Sequence, residues 1–189
     1  MRYTARGLAF TTTAEAGPGT RRTAGPIPSA HHGHDLERWP LHSALTLAAV
    51  EGSVPSARAH ARQLLCEWGQ AEVSQDAGAV VTELVANAVV ASAGLGPAAA
   101  PVLVWLGSDG HCVLLTVADA SPRPPARLNL ESDAEGGRGL ALVEAFSSRW
   151  GWHPASTAGL VKVVWAEWHL PTEVGHRPST RLPNRCHAA

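Results

Sequence analysis

The chain has 189 residues, and its 15 basic and 16 acidic side chains give a formal net charge of −1. This near-neutral balance gives no electrostatic argument for direct binding of nucleic acid or of an anionic membrane. The length suits one domain with tails. No apolar run reaches the roughly 18 residues of a membrane span, and the N-terminus lacks the apolar core of a secretory signal.

Both ends of the chain are predicted to be disordered tails, at residues 1–40 and 172–189, around one domain at 41–171. Residues 1–40 are rich in Gly, Pro and Thr and show no apolar periodicity. The histidines at 31, 32 and 34 either bind a metal or belong to a solvated tail, and no carboxylate or thiolate supports the first interpretation.

The three cysteines show no paired spacing. They are Cys66, Cys112 and Cys186. We predict free thiols without a disulfide framework or a zinc site, as is usual in a reducing cytoplasm. The expected location is therefore cytoplasmic.

Alternating or periodic apolar residues, separated by Gly and Pro, predict eight elements within the domain. In chain order they are an edge strand at 41–50, helices at 55–68 and 73–93, strands at 101–106 and 112–118, a helix at 140–146, and strands at 148–153 and 161–170. A hairpin turn is predicted at 107–110 and another turn at 155–159.

The long helix at 73–93 is apolar around most of its circumference, but Glu83 and Asn87 break that pattern. These two residues are four apart, so they project from one face about one turn from each other. One interpretation is a pair of satisfied polar residues at a helix edge. The other is a site in which Asn87 offers an oxygen to Mg²⁺ and Glu83 orients or deprotonates a reacting group.

The strand at 112–118 is almost continuously apolar, as a buried central strand is, and it ends at Asp119. An aspartate there is either a turn former or a site residue. The segment at 123–135 is long and Pro-rich, and such loops are usually functional or disordered.

A glycine-rich stretch, Gly136-Gly137-Arg138-Gly139, leads directly into the helix that starts at Leu140. Glycines before a helix let backbone N–H groups approach a phosphate at the positive end of the helix. Tight turns use the same residues, so this stretch alone does not decide between a phosphate-binding site and an ordinary turn.

The ordered set formed by residues 83–89, 119–122, 136–143 and 164–167 resembles the nucleotide site of the GHKL ATPase superfamily, the Bergerat fold of histidine kinases, gyrase and the Hsp90 chaperone. More narrowly, it is similar to bacterial anti-sigma factors that are serine/threonine kinases and to related actinobacterial regulators. The resemblance implies an α/β (α+β) two-layer sandwich. Its sheet would be mixed and mainly antiparallel, with helices on one face and ATP between the layers.

The resemblance also implies roles for individual residues. Asn87 would coordinate Mg²⁺ at the ATP phosphates, Glu83 would act as general base or position the attacking hydroxyl, and Asp119 would accept a hydrogen bond from the adenine amino group. The phosphates would be met by Gly137, Arg138, Gly139 and Leu140, although Arg138 suits solvent equally well.

Three departures from the family pattern affect these roles. Val90-Ala91-Ser92 offers no basic residue or histidine after Asn87, the stretch from Asp119 to Pro122 has no glycine, and residues 159–163 lack the usual threonine near adenine. A proline also removes one backbone N–H from the loop.

The resemblance implies a cytoplasmic ATP-binding regulator that transfers the γ-phosphoryl group of ATP to a serine of a protein partner, such as a sigma factor antagonist. The alternative is a non-catalytic module that sequesters a sigma factor or another regulator, with ATP as a structural ligand or without ATP. A homodimer is compatible with the resemblance. A histidine kinase fragment fits poorly because residues 1–40 contain no heptads.

Overall fold

The computed structural model describes residues 38–93, 95–96, 100–125, 139–157 and 159–171. Its elements, in chain order, are β1 (Leu41–Leu47), α1 (Ser53–Glu67), α2 (Ala71–Ala93), β2 (Val102–Ser108), β3 (Cys112–Asp119), α3 (Gly139–Phe146), β4 (Arg149–Thr157) and β5 (Leu160–His169). The predicted elements all occur, and their ends differ by a few residues. The expectations for residues 1–37, 126–138 and 172–189 lie outside the described residues. They include those for the histidines at 31, 32 and 34 and for Cys186.

The strands form one five-stranded sheet in the order β1-β2-β3-β5-β4. As predicted, β1 lies at an edge and β3 in the middle. The predicted two-layer α/β sandwich is confirmed. The predicted mixed sheet is corrected, because every ladder among the described strands is antiparallel. The short connections after β2 and β4 account for two of the four ladders, because a tight hairpin can join only antiparallel strands.

All three helices belong to the layer on one face of the sheet, and the main core lies between them and the strands. From α2, Val81, Leu84 and Val85 are buried in this core. α2 is long and apolar enough to span a membrane by length and composition alone, but half of its most apolar window is buried inside the protein. The same combination is found in the core helix of a globular domain.

The opposite face of the sheet carries a second apolar cluster built from tryptophans. The rings of Trp105 and Trp165 lie over Gly107 and Gly151, where a Cβ atom would overlap them. Trp39 packs edge-on against Trp105 with ring centroids 5.9 Å apart. Trp39 falls within the stretch assigned to the N-terminal tail, yet it is only 2% exposed, so the folded body begins before β1.

Two local expectations need correction. Cys66 takes part in a disulfide, so the prediction of three free thiols is wrong for this residue, whereas Cys112 is free. The turn predicted at 155–159 is shorter than expected because β4 continues to Thr157 through an irregularity after Pro154. Proline lacks the N–H that a regular ladder needs, and a bulge accommodates it.

Candidate functional site

A cavity of about 460 Å³ opens between α2, α3 and the neighbouring ends of β3 and β5. This volume is within the range of small-molecule sites. Its lining is mostly apolar with a few polar side chains, among them Asn87, Asp119, Ser121 and Lys162. The cavity therefore has the general character of a ligand pocket rather than of a packing defect.

Asp119, the last residue of β3, forms the buried acidic part of the cavity. Its side chain is only 2% exposed. The backbone N–H of Ser121 donates to its Oδ1 at 2.8 Å, and the Lys162 ammonium lies 3.3 Å from its Oδ2. Burial raises the pKa of Asp119, while the Ser121 amide and the Lys162 charge act in the opposite direction. The carboxyl group is thus fixed in place at the end of an interior strand.

Lys162 stands directly opposite Asp119 in the β3–β5 ladder. Its side chain is 7% exposed, and its Nζ also donates to the backbone carbonyl of Arg123 at 2.8 Å. The ammonium therefore joins β5 both to the end of β3 and to the segment that follows.

Sequence reasoning considered residues 159–163 only for a missing threonine and passed over Lys162. A local signal was present, because Lys162 is the single lysine of the sequence, where all other basic residues apart from histidine are arginines, and it stands in an otherwise apolar strand. A buried charge is costly without a partner, so its position already calls for a carboxylate. Which carboxylate depends on the strand register, which the sequence pattern does not reveal.

The two polar residues of α2 meet the start of α3. A Cβ atom added to Gly139 would lie 2.6 Å from Glu83 Oε2 and 3.6 Å from Asn87 Nδ2. The backbone of Gly139 therefore rests against both side chains, and only glycine allows this approach without moving the carboxylate. Two sequence motifs far apart along the chain are brought into one place.

Glu83 is half-buried and Asn87 is exposed, and neither side chain forms a hydrogen bond with another group in the described ranges. The described residues therefore supply no hydrogen-bond partner to either side chain, and the choice between satisfied polar residues at a helix edge and a site stays open there.

The structure thus gathers most of the site residues named from the sequence. Asn87, Asp119 and Leu140 line the cavity, and Glu83 adjoins it through Gly139. Gly137 and Arg138 lie outside the described residues. The roles assigned to these residues from sequence remain predictions.

A second cluster of polar groups lies at the other end of β5. Glu167 Oε2 accepts from Arg149 Nη2 at 2.8 Å, and its Oε1 is 2.6 Å from His169 Nε2. The Cys112 thiol lies close by, and burial together with the charge of Glu167 raises its pKa to about 12. Both carboxylate oxygens have partners, while the buried Arg149 Nε has no hydrogen-bond partner among the described residues.

Comparison with protein families settles what kind of domain this is. The model of the histidine kinase-like ATPase domain matches residues 47–165, a range that includes β2 to β4 and all three helices. The chain belongs to the histidine kinase-like ATPase domain family. No curated protein matches the chain. Family membership identifies the fold around the cavity as an ATPase domain of the ATP-binding kind. It does not identify the reaction or the partner, which must be argued from the residues of this chain.

The residues of the ATPase domain fit a magnesium nucleotide. Asp119 supplies a buried acceptor for an amino group, as a base requires. Gly139 brings the backbone at the start of α3 close to Glu83 and Asn87, and helix N-termini bind phosphate. Asn87 offers a hard oxygen of the kind Mg²⁺ prefers. These residues therefore offer groups of the kinds that a base, phosphates and Mg²⁺ require.

Proposed function

We propose that the domain binds ATP with Mg²⁺ and transfers the γ-phosphoryl group to a serine hydroxyl of a protein partner, as anti-sigma factor serine/threonine kinases do. The observation that carries this proposal is the contact of Gly139 with Glu83 and Asn87. It puts a carboxylate, a side-chain amide and a helix start beside a cavity that the buried Asp119 also lines.

At the base end, Asp119 accepts a hydrogen bond from the exocyclic amino group of adenine. Ser121 and Lys162 hold the carboxylate in position from two sides. An amino group suits this acceptor, whereas the carbonyl oxygen that guanine has at the same position would meet another acceptor. A hydrogen bond to a charged group contributes about 1.5–3 kcal/mol, which is enough for strong preference.

At the phosphate end, the N-terminus of α3 presents the backbone of Gly139 and Leu140, and Gly137 and Arg138 precede it in the chain. The amide oxygen of Asn87 is the metal ligand of this arrangement. Bound ATP supplies the transferable phosphoryl group, and Mg²⁺ supplies positive charge at its oxygens. The chain itself contributes position and fixed dipoles, which account for most of the catalysis in phosphoryl transfer.

Glu83 is the general base of the proposal. Its carboxylate adjoins the first residue of α3, is only half-buried and is therefore accessible to a hydroxyl of a partner. It takes the proton of the serine hydroxyl as that oxygen attacks. The phosphate gained by the partner adds about two negative charges, which changes the partner's own binding.

The alternative function is a non-catalytic module that sequesters a sigma factor or another regulator. One observation favours it: Lys162 already pairs with Asp119, the group that should receive adenine. Exposed apolar residues at the cavity, Val90 and Leu95, suit contact with a protein. Homodimerisation and a cytoplasmic location are also proposed; the location rests on the intracellular partner and not on the cysteines, because Cys66 takes part in a disulfide.

Calorimetric titration of ATP into the full chain, with and without Mg²⁺, tests the binding step. We expect micromolar, Mg²⁺-dependent binding that Asn87→Ala and Asp119→Ala abolish. Transfer of a labelled γ-phosphate to a protein in the lysate of the source cells should then be lost in Glu83→Gln and retained in Glu72→Gln, an exposed acid on the same helix. ATP binding without any Glu83-dependent labelling would favour the module.

A further inference from the structure

The buried pair formed by Asp119 and Lys162 does more than neutralise a charge. Both side chains line the cavity, and both are more than nine-tenths buried. An acceptor and a donor therefore stand side by side at the end of the cavity where the base would lie. Neither composition nor family membership assigns a role to Lys162.

The ammonium of Lys162 has more donors than partners. A lysine side chain carries three N–H groups. One is directed to Asp119 Oδ2 and one to the carbonyl oxygen of Arg123, and no further acceptor is found in the described part of the chain. A buried donor without a partner is costly, so this third N–H is suited to an acceptor brought into the cavity by a ligand.

Lysine suits this position better than arginine would. Its ammonium is a compact charge with rotatable donors, whereas a guanidinium is a flat fork that engages a carboxylate with two parallel bonds. The chain uses arginine at all of its other Lys or Arg positions. The one lysine stands where a single nitrogen can serve three acceptors at once.

The edge of adenine matches this pair of groups. Its exocyclic N6 amino group is a donor, and the adjacent ring nitrogen N1 is an acceptor. We propose that Lys162 is a base-reading residue that donates a hydrogen bond to N1 of adenine while Asp119 accepts from N6. This inference rests on the proposed binding of ATP and adds a second specificity contact to it.

The nucleotide analogues 1-deaza-ATP and 7-deaza-ATP provide the direct test. The first replaces N1 by a C–H group, and the second alters the other edge of the base and serves as the matched control. In calorimetric titrations of the wild-type full chain with Mg²⁺, 1-deaza-ATP should bind about ten to a hundred times more weakly than ATP, as loss of a charge-assisted hydrogen bond predicts. 7-deaza-ATP should bind as ATP does.

Substitution of the lysine separates base reading from a merely structural role. Lys162→Met and Lys162→Gln should both bind ATP more weakly, and Lys162→Met should no longer distinguish ATP from 1-deaza-ATP. If Lys162 only held Asp119 and Arg123 in place, each variant would lose affinity for both nucleotides by the same factor. Lys162→Gln keeps a neutral N–H donor, so the comparison can still be made if Lys162→Met folds poorly.

The single lysine also permits a readout without any substitution. In protein labelled with ¹⁵N-lysine, one side-chain ammonium resonance is expected, and ATP should shift it more than 1-deaza-ATP does. Equal affinities and equal shifts for the two nucleotides would overturn the role of Lys162 and leave ATP binding intact. Failure of ATP itself to bind would overturn the proposed function and this inference together.

Discussion

The two ends of β5 carry buried ion pairs of the same kind in different surroundings. At one end, Lys162 meets Asp119 of β3, and the two side chains are 7% and 2% exposed. At the other end, Glu167 meets Arg149 of β4, and Arg149 is 30% exposed. The carboxylate of Glu167 also has a second partner in His169.

The difference lies in where the unused hydrogen-bonding capacity of each pair is found. Both oxygens of Glu167 have partners in Arg149 and His169, and the buried Arg149 Nε, which has no hydrogen-bond partner among the described residues, does not line the cavity. Within the described parts of the chain, one donor of the Lys162 ammonium has no acceptor, and this residue lines the cavity. Burial of charge alone therefore does not mark a binding site, because ion pairs that stabilise structure are buried too. Spare hydrogen-bonding capacity beside a cavity is the more informative sign.

The largest expected effect comes from removing the cation of each pair. Lys162→Met leaves a fully buried carboxylate without its charge partner and should lower the free energy of unfolding by about 3 kcal/mol. Arg149→Met should cost only about 1 kcal/mol, since Arg149 is partly solvated and His169 remains near Glu167. Urea unfolding of both variants measures the difference, and an equal or reversed order would contradict the distinction drawn between the two ends.

A methyl group added beside the cavity, or instead on the tryptophan face of the sheet, should separate function from stability. Gly139→Ala pushes against the mobile end of Glu83, so we expect a stability change within about 1 kcal/mol but a loss of phosphoryl transfer of roughly tenfold or more. Gly151→Ala pushes against the buried ring of Trp165 and should cost about 1–3 kcal/mol of stability without changing ATP affinity.

The control for this pair of variants is Gly52→Ala, because an added Cβ there meets nothing within 4 Å. It should leave stability and nucleotide binding close to wild type. Urea unfolding and ATP titration of all three proteins provide the measurements. Loss of transfer in Gly151→Ala, or full transfer in Gly139→Ala, would argue against the assignment of Glu83 as the base.

The smallest expected effect is the pH dependence of stability that Asp119 contributes at the cavity end. Burial raises the pKa of Asp119 above its ordinary value of 3.8, so the folded protein binds this proton more tightly than the unfolded chain does. The corresponding stability is fully present below the unfolded pKa and is lost as pH rises through the folded pKa. Urea unfolding across this range should show the slope in wild type and its absence in Asp119→Asn.

Much of the fold follows from local sequence patterns. The apolar circumference of α2 and the nearly continuous apolar run of β3 predicted a buried helix and a central strand, and both are found. Glycine and proline fixed the ends of most elements to within a few residues. These features are local, because helical and strand periodicities need only neighbouring residues.

The remaining features depend on contacts between distant parts of the chain. The pairing of Lys162 with Asp119 follows from the register of β3 against β5, and Trp39 is buried only because Trp105 lies on the adjoining sheet face. Neither contact leaves a periodic signal. The meeting of Gly139 with Glu83 was expected only from the family resemblance, since spacing along the chain says nothing about which helix start approaches which helix face.

The hydrogen bond from Lys162 to the carbonyl of Arg123 has a consequence for regulation. One ammonium is shared between the base end of the cavity and the first residues of the segment that leads towards α3. A nucleotide that accepts a hydrogen bond from Lys162 changes the hydrogen bond between Lys162 and Arg123. A protein that displaces Arg123 changes the position of the ammonium that the nucleotide contacts. Thermodynamic reciprocity makes these two effects equal in free energy. Under the proposed function, nucleotide binding and the binding of a partner that displaces Arg123 would therefore form one coupled equilibrium.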